Sequence, residues 1–262
     1  MSNYAVIAAS NDEKVLRSSL LASPDLQQDV EISVQRNAPS SAVAYNRGIA
    51  ETNAEIMLFA HQDLFLPDGW MKKFQAALGH LSQIDPNWGV LGLFGTDRKG
   101  CGHGHVYSTG IRAVVGSAFN GTREVDALDE VLLVLRRSSG LRFDERMAGF
   151  HLYGGDICAQ AQERGMKCHA MSAFAIHNSN GIGVLPLDYW KVYLQMRRKW
   201  WSRLPLRTPC MPVTRWCGPA IQYLLGHPLW LLRQNKPQGR RVPDPVAVWR
   251  QLQEQGMVGQ RA

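Results

Sequence analysis

The strongest constraint on the fold is a regular alternation of apolar runs and helical patterns in the first 80 residues. Runs of strand length at residues 4–9, 30–35 and 55–60 are separated by stretches with the spacing of amphipathic helices at residues 14–21 and 42–51. Such alternation is typical of parallel strand–helix–strand units, since parallel neighbours need a crossover connection. The sequence therefore predicts an α/β fold, with a mostly parallel mixed sheet flanked by helices.

Local signals predict where several elements begin and end. Ser40 or Ser41 is expected to cap the helix at 42–51, and Asp68 is expected to cap the next helix, because their side-chain oxygens can accept the free first-turn amides. Gly165 suits the left-handed position after a helix at 154–164. Further along, the glycine-rich residues 95–104 predict a loop, and residues 167–170 and 174–177 predict a further pair of strands.

Charge divides the chain into two parts. The net charge of +7 is distributed unevenly along the chain. Residues 1–189 are mildly acidic, whereas residues 190–262 hold 13 Lys and Arg and only two acidic residues, Asp244 and Glu254. Six of the eight tryptophans share this basic part: Trp190, Trp200, Trp201, Trp216, Trp230 and Trp249. We therefore expect a catalytic domain at 1–187 and a basic, Trp-rich helical C-terminal extension at 188–262. Its amphipathic stretches 188–203 and 222–233 either lie on an anionic membrane surface or cover one side of the domain.

The sequence indicates a cytoplasmic protein with reduced thiols. Residues 1–10 lack a basic, apolar leader, and the longest apolar runs fall short of the roughly 18 residues of a spanning helix. The five cysteines are odd in number and lack paired spacing. Nucleic acid is disfavoured as a partner of the basic extension, because the extension matches no known nucleic-acid-binding module. Association with the cytoplasmic face of a membrane remains open.

Seven short segments, in order, carry a resemblance to a known family. They are residues 44–50 (AYNRGIA), 56–63 (IMLFAHQD), 126–129 (DALD), 142–145 (RFDE), 155–158 (GDIC), 163–165 (ERG) and 177–179 (HNS). Together they resemble the GT-A nucleotide-diphospho-sugar glycosyltransferases, in particular the family-2-like inverting enzymes. The resemblance covers about residues 1–180 and implies the GT-A, Rossmann-like version of the α/β fold.

The resemblance implies a metal site after the third strand. His61-Gln62-Asp63 stands where such enzymes carry an Asp-x-Asp motif, so Asp63 is the expected ligand of Mn²⁺ or Mg²⁺ and His61 replaces the first carboxylate. A divalent cation at this position stabilises the charge on a departing nucleotide diphosphate. His177 matches a late histidine that can complete the site. For His61, metal binding, contact with the nucleotide and a hydrogen bond to its own loop are all open.

The resemblance also implies a base and a donor pocket. Asp156 is the expected base that takes the proton from the acceptor hydroxyl, although glycines occupy the positions before it where a carboxylate is often found. A helix N-cap is the alternative role for Asp156, and Asp129 is the alternative base. Ser10, Asn37 and Arg47 are expected to bind the nucleotide; Arg47 either neutralises phosphate or is an exposed helix residue.

These expectations define two functional hypotheses. In the first, the chain is a metal-dependent inverting enzyme that moves a sugar from a nucleotide-diphosphate donor to a hydroxyl of a glycan or lipid-linked acceptor. In the second, it is a degenerate member of the same fold that binds a nucleotide or glycan without turnover. The missing first carboxylate of the metal motif and the glycines before Asp156 motivate the second hypothesis.

Overall fold

The computed structural model describes residues 4–27, 30–181, 184–226 and 240–258. The strands of this part of the chain are β1 (Tyr4–Ser10), β2 (Glu31–Arg36), β3 (Ile56–His61), β4 (Leu64–Phe65), β5 (Val90–Gly92), β6 (Phe94–Thr96), β7 (Gly102–Ser108), β8 (Ala113–Gly116), β9 (Thr122–Val125), β10 (Ala127–Leu128), β11 (Leu132–Arg136), β12 (Cys168–Met171) and β13 (Ala175–His177). The α-helices are α1 (Glu13–Ser18), α2 (Ser41–Glu51), α3 (Trp70–Ile84), α4 (Tyr153–Glu163), α5 (Leu187–Lys199), α6 (Gly218–Gly226) and α7 (Pro245–Glu254).

The main sheet confirms the α/β fold predicted from the first 80 residues. Its strand order is β2-β1-β3-β11-β5-β12-β9. β1 is parallel to both β2 and β3, and β12 is parallel to β5, whereas β11 and β9 are antiparallel to their neighbours. The sheet is therefore mixed, and the three strands that the alternating pattern predicted form its parallel β2-β1-β3 part.

Helices cover both faces of this sheet. Trp70, Phe74 and Leu81 of α3 are buried against one face, and α2 and α4 bury Tyr45 and Ile157 against the other. Each fully buried apolar side chain of this size contributes about 1.5–3 kcal/mol of transfer free energy. The two apolar layers therefore hold the strand ends in fixed positions.

A second sheet shortens the loop that the glycine-rich sequence predicted. Its order is β10-β6-β7-β13-β4, with β8 paired to β7. Half of residues 95–104 lie in β6 and β7, and residues 97–101 form the loop between these two strands. The glycines there allow close packing: a Cβ on Gly104 would lie 2.3 Å from the carbonyl oxygen of Leu93, and a Cβ on Gly102 would lie 2.7 Å from the ring of Phe94. The two strands expected at 167–170 and 174–177 are confirmed as β12 and β13, which belong to different sheets and do not pair with each other.

Two of the three predicted helix boundaries are confirmed. Ser40 caps α2 by accepting the amide of Val43 at 3.3 Å, and Gly165 follows α4 with a positive φ of 75°. The predicted cap Asp68 is wrong, because α3 begins at Trp70 after a left-handed Gly69. A residue that is distant in sequence takes the capping role: the Asp25 carboxylate accepts the amide of Met71 at 2.7 Å.

The C-terminal extension packs closely on α4. Val192, Tyr193 and Met196 on the inner face of α5 are buried together with Leu152 and Ala159. Residues 227–233 of the second predicted amphipathic stretch lie outside the described residues. The domain boundary at residue 188 stays a prediction. No described helix is long and apolar enough to cross a membrane.

A buried carboxylate fastens this extension to α4. Asp156 is 2% exposed; its Oδ1 lies 2.7 Å from Nζ of Lys199 and accepts Nε1–H of Trp200 at 2.7 Å, while Gln160 donates to its Oδ2 at 2.8 Å. Lys199 also pairs with Asp144 at 2.8 Å. Asp156 is thus the centre of the polar contact between α4 and the end of α5.

We predict that Asp156→Asn lowers the free energy of unfolding by about 3 kcal/mol, because it removes one partner of a buried ion pair. Urea unfolding followed by circular dichroism measures the change. Asp188→Asn is the matched control: its partner is Lys191 and both side chains are more than 70% exposed, so its effect should stay within about 0.5 kcal/mol. Equal effects of the two substitutions would contradict the structural role given to Asp156.

Candidate active site

Three parallel strands deliver polar residues to one edge of the main sheet. Ser10 ends β1, Asn37 follows β2 and His61 ends β3, and the amide of Asn37 donates to the carbonyl oxygen of Ser10 at 2.9 Å. Gln62 ties this edge together, since its Oε1 accepts Ser10 Oγ at 2.8 Å and the amides of the following turn at 3.1 Å. Ligands of open α/β sheets bind beyond such carboxyl ends.

A cavity of about 300 Å³ opens at this edge. It is lined by Ala9, Ser10, Asn11, Asn37, Ala38, Tyr45, His61, Gln62, Asp63, Phe150 and Tyr153. The structure thus brings Ser10, Asn37, His61 and Asp63 together, as predicted for a donor pocket. Phe150, a residue that the sequence analysis missed, is 45% exposed although it is a large apolar side chain.

Arg47 is not among the residues that line this cavity. It is exposed on α2. Its neighbours explain the motif around it: Asn46 exchanges hydrogen bonds with the backbone of Phe143 at 2.8 and 3.1 Å, and a Cβ on Gly48 would lie 2.3 Å from Ile7 Cγ2. The segment 44–50 is therefore constrained by packing of α2. Of the two roles expected for Arg47, its position agrees with that of an exposed helix residue outside the pocket.

Strand pairing brings His177 to Asp63. β4 and β13 are antiparallel with His177 opposite Leu64, and the amide of Asn178 donates to the carbonyl oxygen of Asp63 at 2.7 Å. His177 Nε2 lies 3.4 Å and His61 Nδ1 lies 3.8 Å from the same carboxylate oxygen, Asp63 Oδ1. One donor atom from each residue falls within a 4.8 Å cluster, so the predicted ligands Asp63 and His177, together with His61, are close enough to hold one cation.

The hydrogen bonds around His61 leave its inward nitrogen free to bind a cation. His61 Nε2 lies 2.8 Å from the hydroxyl of Tyr153, which also contacts the carbonyl oxygen of Glu130 at 3.1 Å and the hydroxyl of Tyr45 at 3.3 Å. In the tautomer that donates from Nε2 to this hydroxyl, the lone pair of Nδ1 lies on the side of Asp63. Such outer hydrogen bonds typically orient metal-binding histidines. The donor set therefore fits a divalent cation.

Electrostatics keep Asp63 ionised. Burial of the carboxyl group opposes ionisation, but the neighbouring His177 and His61 and the hydrogen bond from Arg241 outweigh it, so the pKa of Asp63 is lowered. Burial lowers the pKa of His61 despite the proximity of Asp63. The pKa of His177 is raised, because its interaction with Asp63 outweighs the effect of burial.

A second cavity, of about 640 Å³, begins at the same three side chains. Most of its wall is apolar, and Asp129 lines it together with the cluster of His61, Asp63 and His177. The apolar residues of the wall are Phe94, Val106, Ile111, Val115, Val131, Leu185 and Pro209. The two cavities thus meet at the candidate metal site, and both expose His61 and Asp63.

Asp156 does not face either of these cavities. Both of its oxygens accept bonds from α4 and α5 side chains, so the geometry corrects its expected role as the base. It is not the helix cap either, because Leu152 holds the N-cap position of α4. The glycines before it are needed for packing: a Cβ on Gly154 would lie 2.6 Å from the carbonyl oxygen of Leu128, and one on Gly155 would lie 3.0 Å from Met196.

Glu130, which the sequence analysis missed, lies beside Asp129 with a strongly perturbed acidity. Burial raises the pKa of Glu130 to about 8, repulsion from Asp129 adds to this effect, and the backbone amides of Gly154 and Leu152 oppose it. The neighbouring acids Asp129-Glu130 were the available sequence clue. Burial and the neighbouring Asp129 therefore both favour the protonated form of Glu130.

The fold and this site define the class of the protein: a GT-A fold with a candidate cation site at its sheet edge. Residues 5–179 match the model of a family described as "Glycosyltransferase like family", and the chain belongs to this family. The match includes Asp63, Asp129 and His177.

Three similar proteins illustrate the relationship. The crystal structure of GalNAc-T7 with UDP, GalNAc and Mn²⁺ superposes with a TM-score of 0.52 and 11% identity, over 76% of this chain and 48% of that one. Staphylococcus aureus TarS 1–349 in complex with UDP-GlcNAc gives a TM-score of 0.49 and 14% identity, over 76% and 66%. A Fuscovulum blasticum protein named "ATP synthase subunits region ORF 6" is 28% identical over 159 residues, or 58% of this chain and 61% of that protein. The chain thus spans only about half to two thirds of these proteins.

We predict that Glu130→Gln removes a pH-dependent loss of stability. The folded pKa of about 8 lies above that of an unfolded glutamate, so the folded state holds a proton that the unfolded state has lost. The free energy of unfolding of the wild type should therefore decrease as the pH rises from about 4.5 to about 8. Above that range, the free energy of unfolding of the variant should exceed that of the wild type by on the order of 2 kcal/mol.

Urea unfolding at both ends of this pH range measures the effect. Glu254→Gln, at an exposed position of α7, is the control and should leave the pH profile unchanged. A Glu130→Gln protein whose stability follows the same pH profile as wild type would contradict the perturbed acidity.

Proposed function

We propose that the chain is a metal-dependent, inverting glycosyltransferase. It would move a sugar from a nucleotide-diphosphate donor to a hydroxyl of a glycan or lipid-linked acceptor. The observation that carries the proposal is that the two cavities share His61 and Asp63, which together with His177 form the candidate metal site. A transferase must hold two substrates on opposite sides of the bond that breaks, and this arrangement supplies a chamber for each with a cation site between them.

The smaller cavity suits the nucleotide. Ser10 and Asn37 offer polar contacts to ribose and base, and the exposed ring of Phe150 offers a surface for stacking. UDP is the first nucleotide to test, because the GalNAc-T7 structure holds UDP and Mn²⁺. His61 and Asp63 border this cavity at the candidate metal site, where the diphosphate of a bound donor would lie.

The donor atoms favour Mn²⁺ over Mg²⁺. Two imidazole nitrogens and one carboxylate form the cluster, whereas Mg²⁺ prefers oxygen ligands and retains its waters. When bound, the cation supplies charge stabilisation for the departing diphosphate. His61, Asp63 and His177 would hold it.

Asp129 is the proposed base. It lines the larger cavity, where an acceptor hydroxyl would lie on the side opposite the donor diphosphate. As the hydroxyl oxygen forms its bond to the anomeric carbon and the bond to the diphosphate breaks, the Asp129 carboxylate takes the hydroxyl proton. Among the described residues lining this cavity, Asp63 is the one other carboxylate, and it is engaged by the histidines and Arg241.

The outer face of α5 supports contact with an anionic membrane. Apolar and cationic residues alternate there at spacings of four and three, and all are exposed: Leu187, Lys191, Leu194, Arg198 and Trp201. We call this set the outer stripe. Such interleaving is typical of helices lying in a lipid headgroup region. Nearby, Arg197 and Arg215 flank the ring of Trp201, and Trp216 is 89% exposed.

The position of the outer stripe suits a lipid-linked acceptor at the cytoplasmic face of a membrane. Leu185, two residues before α5 begins, lines the apolar cavity, and so does the 60% exposed Ile111. An acceptor with an apolar anchor could then extend from the membrane into the cavity. Both interpretations of the extension are combined here, since the inner face of α5 packs on the domain while its outer face is free for lipid.

A degenerate binding protein is the competing proposal. The observation that favours it is Asp156, the base expected from the family resemblance, which in this chain serves α4–α5 packing instead. Binding of UDP with Mn²⁺, without transfer or donor hydrolysis, would support this alternative.

We predict that Asp63→Asn reduces Mn²⁺-dependent hydrolysis of a UDP-sugar by on the order of 100-fold or more, because one ligand and its charge are lost. A thermal-shift screen of UDP-, GDP- and dTDP-sugars and a CMP-sugar with and without Mn²⁺ first selects the donor. Asp68→Asn is the control, since Asp68 is exposed on the loop before α3. Unchanged hydrolysis by Asp63→Asn would refute the metal site.

We predict that the double substitution Lys191→Glu, Arg198→Glu weakens binding to phosphatidylserine-containing vesicles by roughly tenfold or more, because each cation near such a surface contributes about 1 kcal/mol. Co-sedimentation at low and high salt measures the binding. Lys72→Glu, Lys73→Glu makes the same charge change on exposed positions of α3 and is the control. Equal binding of the two double variants would contradict a role for the outer stripe.

A further inference from the structure

The C-terminal segment 240–258 returns to the candidate metal site and is fixed there. Asn178, which is 0% exposed, clasps Val242: its Oδ1 accepts the Val242 amide at 2.8 Å and its Nδ2 donates to the Val242 carbonyl oxygen at 2.9 Å. Further on, α7 packs Leu252 and Trp249 against Phe174. Because Asn178 follows β13 directly, this clasp places residue 241 beside the metal ligands.

Arg241 spans the gap between this segment and the metal site. Its Nη2 donates to Asp63 Oδ2 at 2.8 Å, and its Nε donates to the carbonyl oxygen of Asn178 at 2.9 Å. The two carboxylate oxygens of Asp63 therefore have different partners, since Oδ1 faces the histidines and Oδ2 faces Arg241. A cation held through Oδ1 is compatible with the Arg241 contact.

The guanidinium group has capacity for a further ligand. Arg241 lines the larger cavity, its side chain is 26% exposed, and its Nη1 has no hydrogen-bond partner among the described residues. Arg241 is also the one Lys or Arg among the described residues that line the two cavities. A planar, permanently charged fork of this kind is well suited to phosphate oxygens.

The charge balance of the site calls for such a residue. A divalent cation on Asp63 leaves one net positive charge, whereas a diphosphate brings about two negative charges or more. A fixed guanidinium within reach of the cation site can compensate the remainder. If Arg241 only paired with Asp63 and did not contact the ligand, the remaining negative charge of the diphosphate would be unbalanced inside a partly enclosed cavity.

We propose that Arg241 is a diphosphate-binding residue, held in position by Asp63 and Asn178, through which the bound donor fastens residues 240–254 over the site. The identity of its ligand as a nucleotide-sugar diphosphate rests on the proposed function. The contact makes the C-terminal segment part of the donor site. The local stability of residues 240–254 then depends on whether the donor is bound.

Calorimetry with inorganic pyrophosphate tests the proposal independently of the nucleotide base. With the same divalent cation throughout, Arg241→Gln should bind pyrophosphate about 10- to 100-fold more weakly than wild type, as expected for loss of a charge-assisted hydrogen bond. Arg241→Lys keeps the charge without the fork and should be intermediate. Arg240→Gln, at the exposed neighbouring position, is the matched control and should bind within about twofold of wild type.

Hydrogen exchange supplies a readout that a merely structural ion pair would not give. Pyrophosphate should slow amide exchange in residues 240–254 of the wild type and of Arg240→Gln, and this slowing should be absent in Arg241→Gln. Thermal unfolding checks that each variant is folded. If Arg241→Gln fails to fold, the comparison of Arg241→Lys with wild type carries the test.

Two results would overturn the proposal: equal pyrophosphate affinity in wild type and the folded Arg241 variant, or absence of pyrophosphate binding by the wild type. Failure of the proposed function looks different. In that case pyrophosphate binding still depends on Arg241, but UDP-sugars and the other nucleotide-sugars are neither bound nor hydrolysed.

Discussion

The rest of this site depends on how the buried carboxylate of Asp63 is compensated by its neighbours. A charge removed from water must be compensated by its surroundings, and here the compensation comes from three separate parts of the chain. His61 approaches from the end of β3, His177 from the end of β13, and Arg241 from the C-terminal segment. The pairing of β4 with β13 and the clasp of Asn178 on Val242 are therefore elements of one site, because each brings a partner to the same carboxyl group.

The parts of this site that follow from local sequence could be predicted. Apolar periodicity is read over a few residues, so the strands before Ser10, Asn37 and His61 were recognisable, and parallel pairing then placed their ends together. His177 was found through the resemblance of its motif to a family. Arg241 had no local clue, because it meets Asp63 across 178 positions of sequence. Its role depends on where the C-terminal segment returns.

The region around Asp156 shows why a motif alone can mislead. An acidic residue near the start of a helix can serve either as a cap or as a base. Both of these roles were predicted from the sequence of α4 and the loop before it. The decisive neighbours are Lys199 and Trp200 at the end of α5, which occupy the carboxylate. The same helix accounts for Gly155, whose missing Cβ leaves room for Met196. A long-range packing requirement thus accounts for Asp156, and the carboxylate that lines the larger cavity beside the candidate metal site is Asp129.

The most direct test of this account is the ligand set of the cation. Pulsed electron paramagnetic resonance of the protein with Mn²⁺ detects ¹⁴N nuclei bound to the metal and counts the coordinating imidazoles. We expect couplings from two histidine nitrogens, of which one disappears in His61→Gln and one in His177→Gln. A Mn²⁺ spectrum without ¹⁴N coupling, or one unchanged by both substitutions, would show that His61, Asp63 and His177 do not form the metal site.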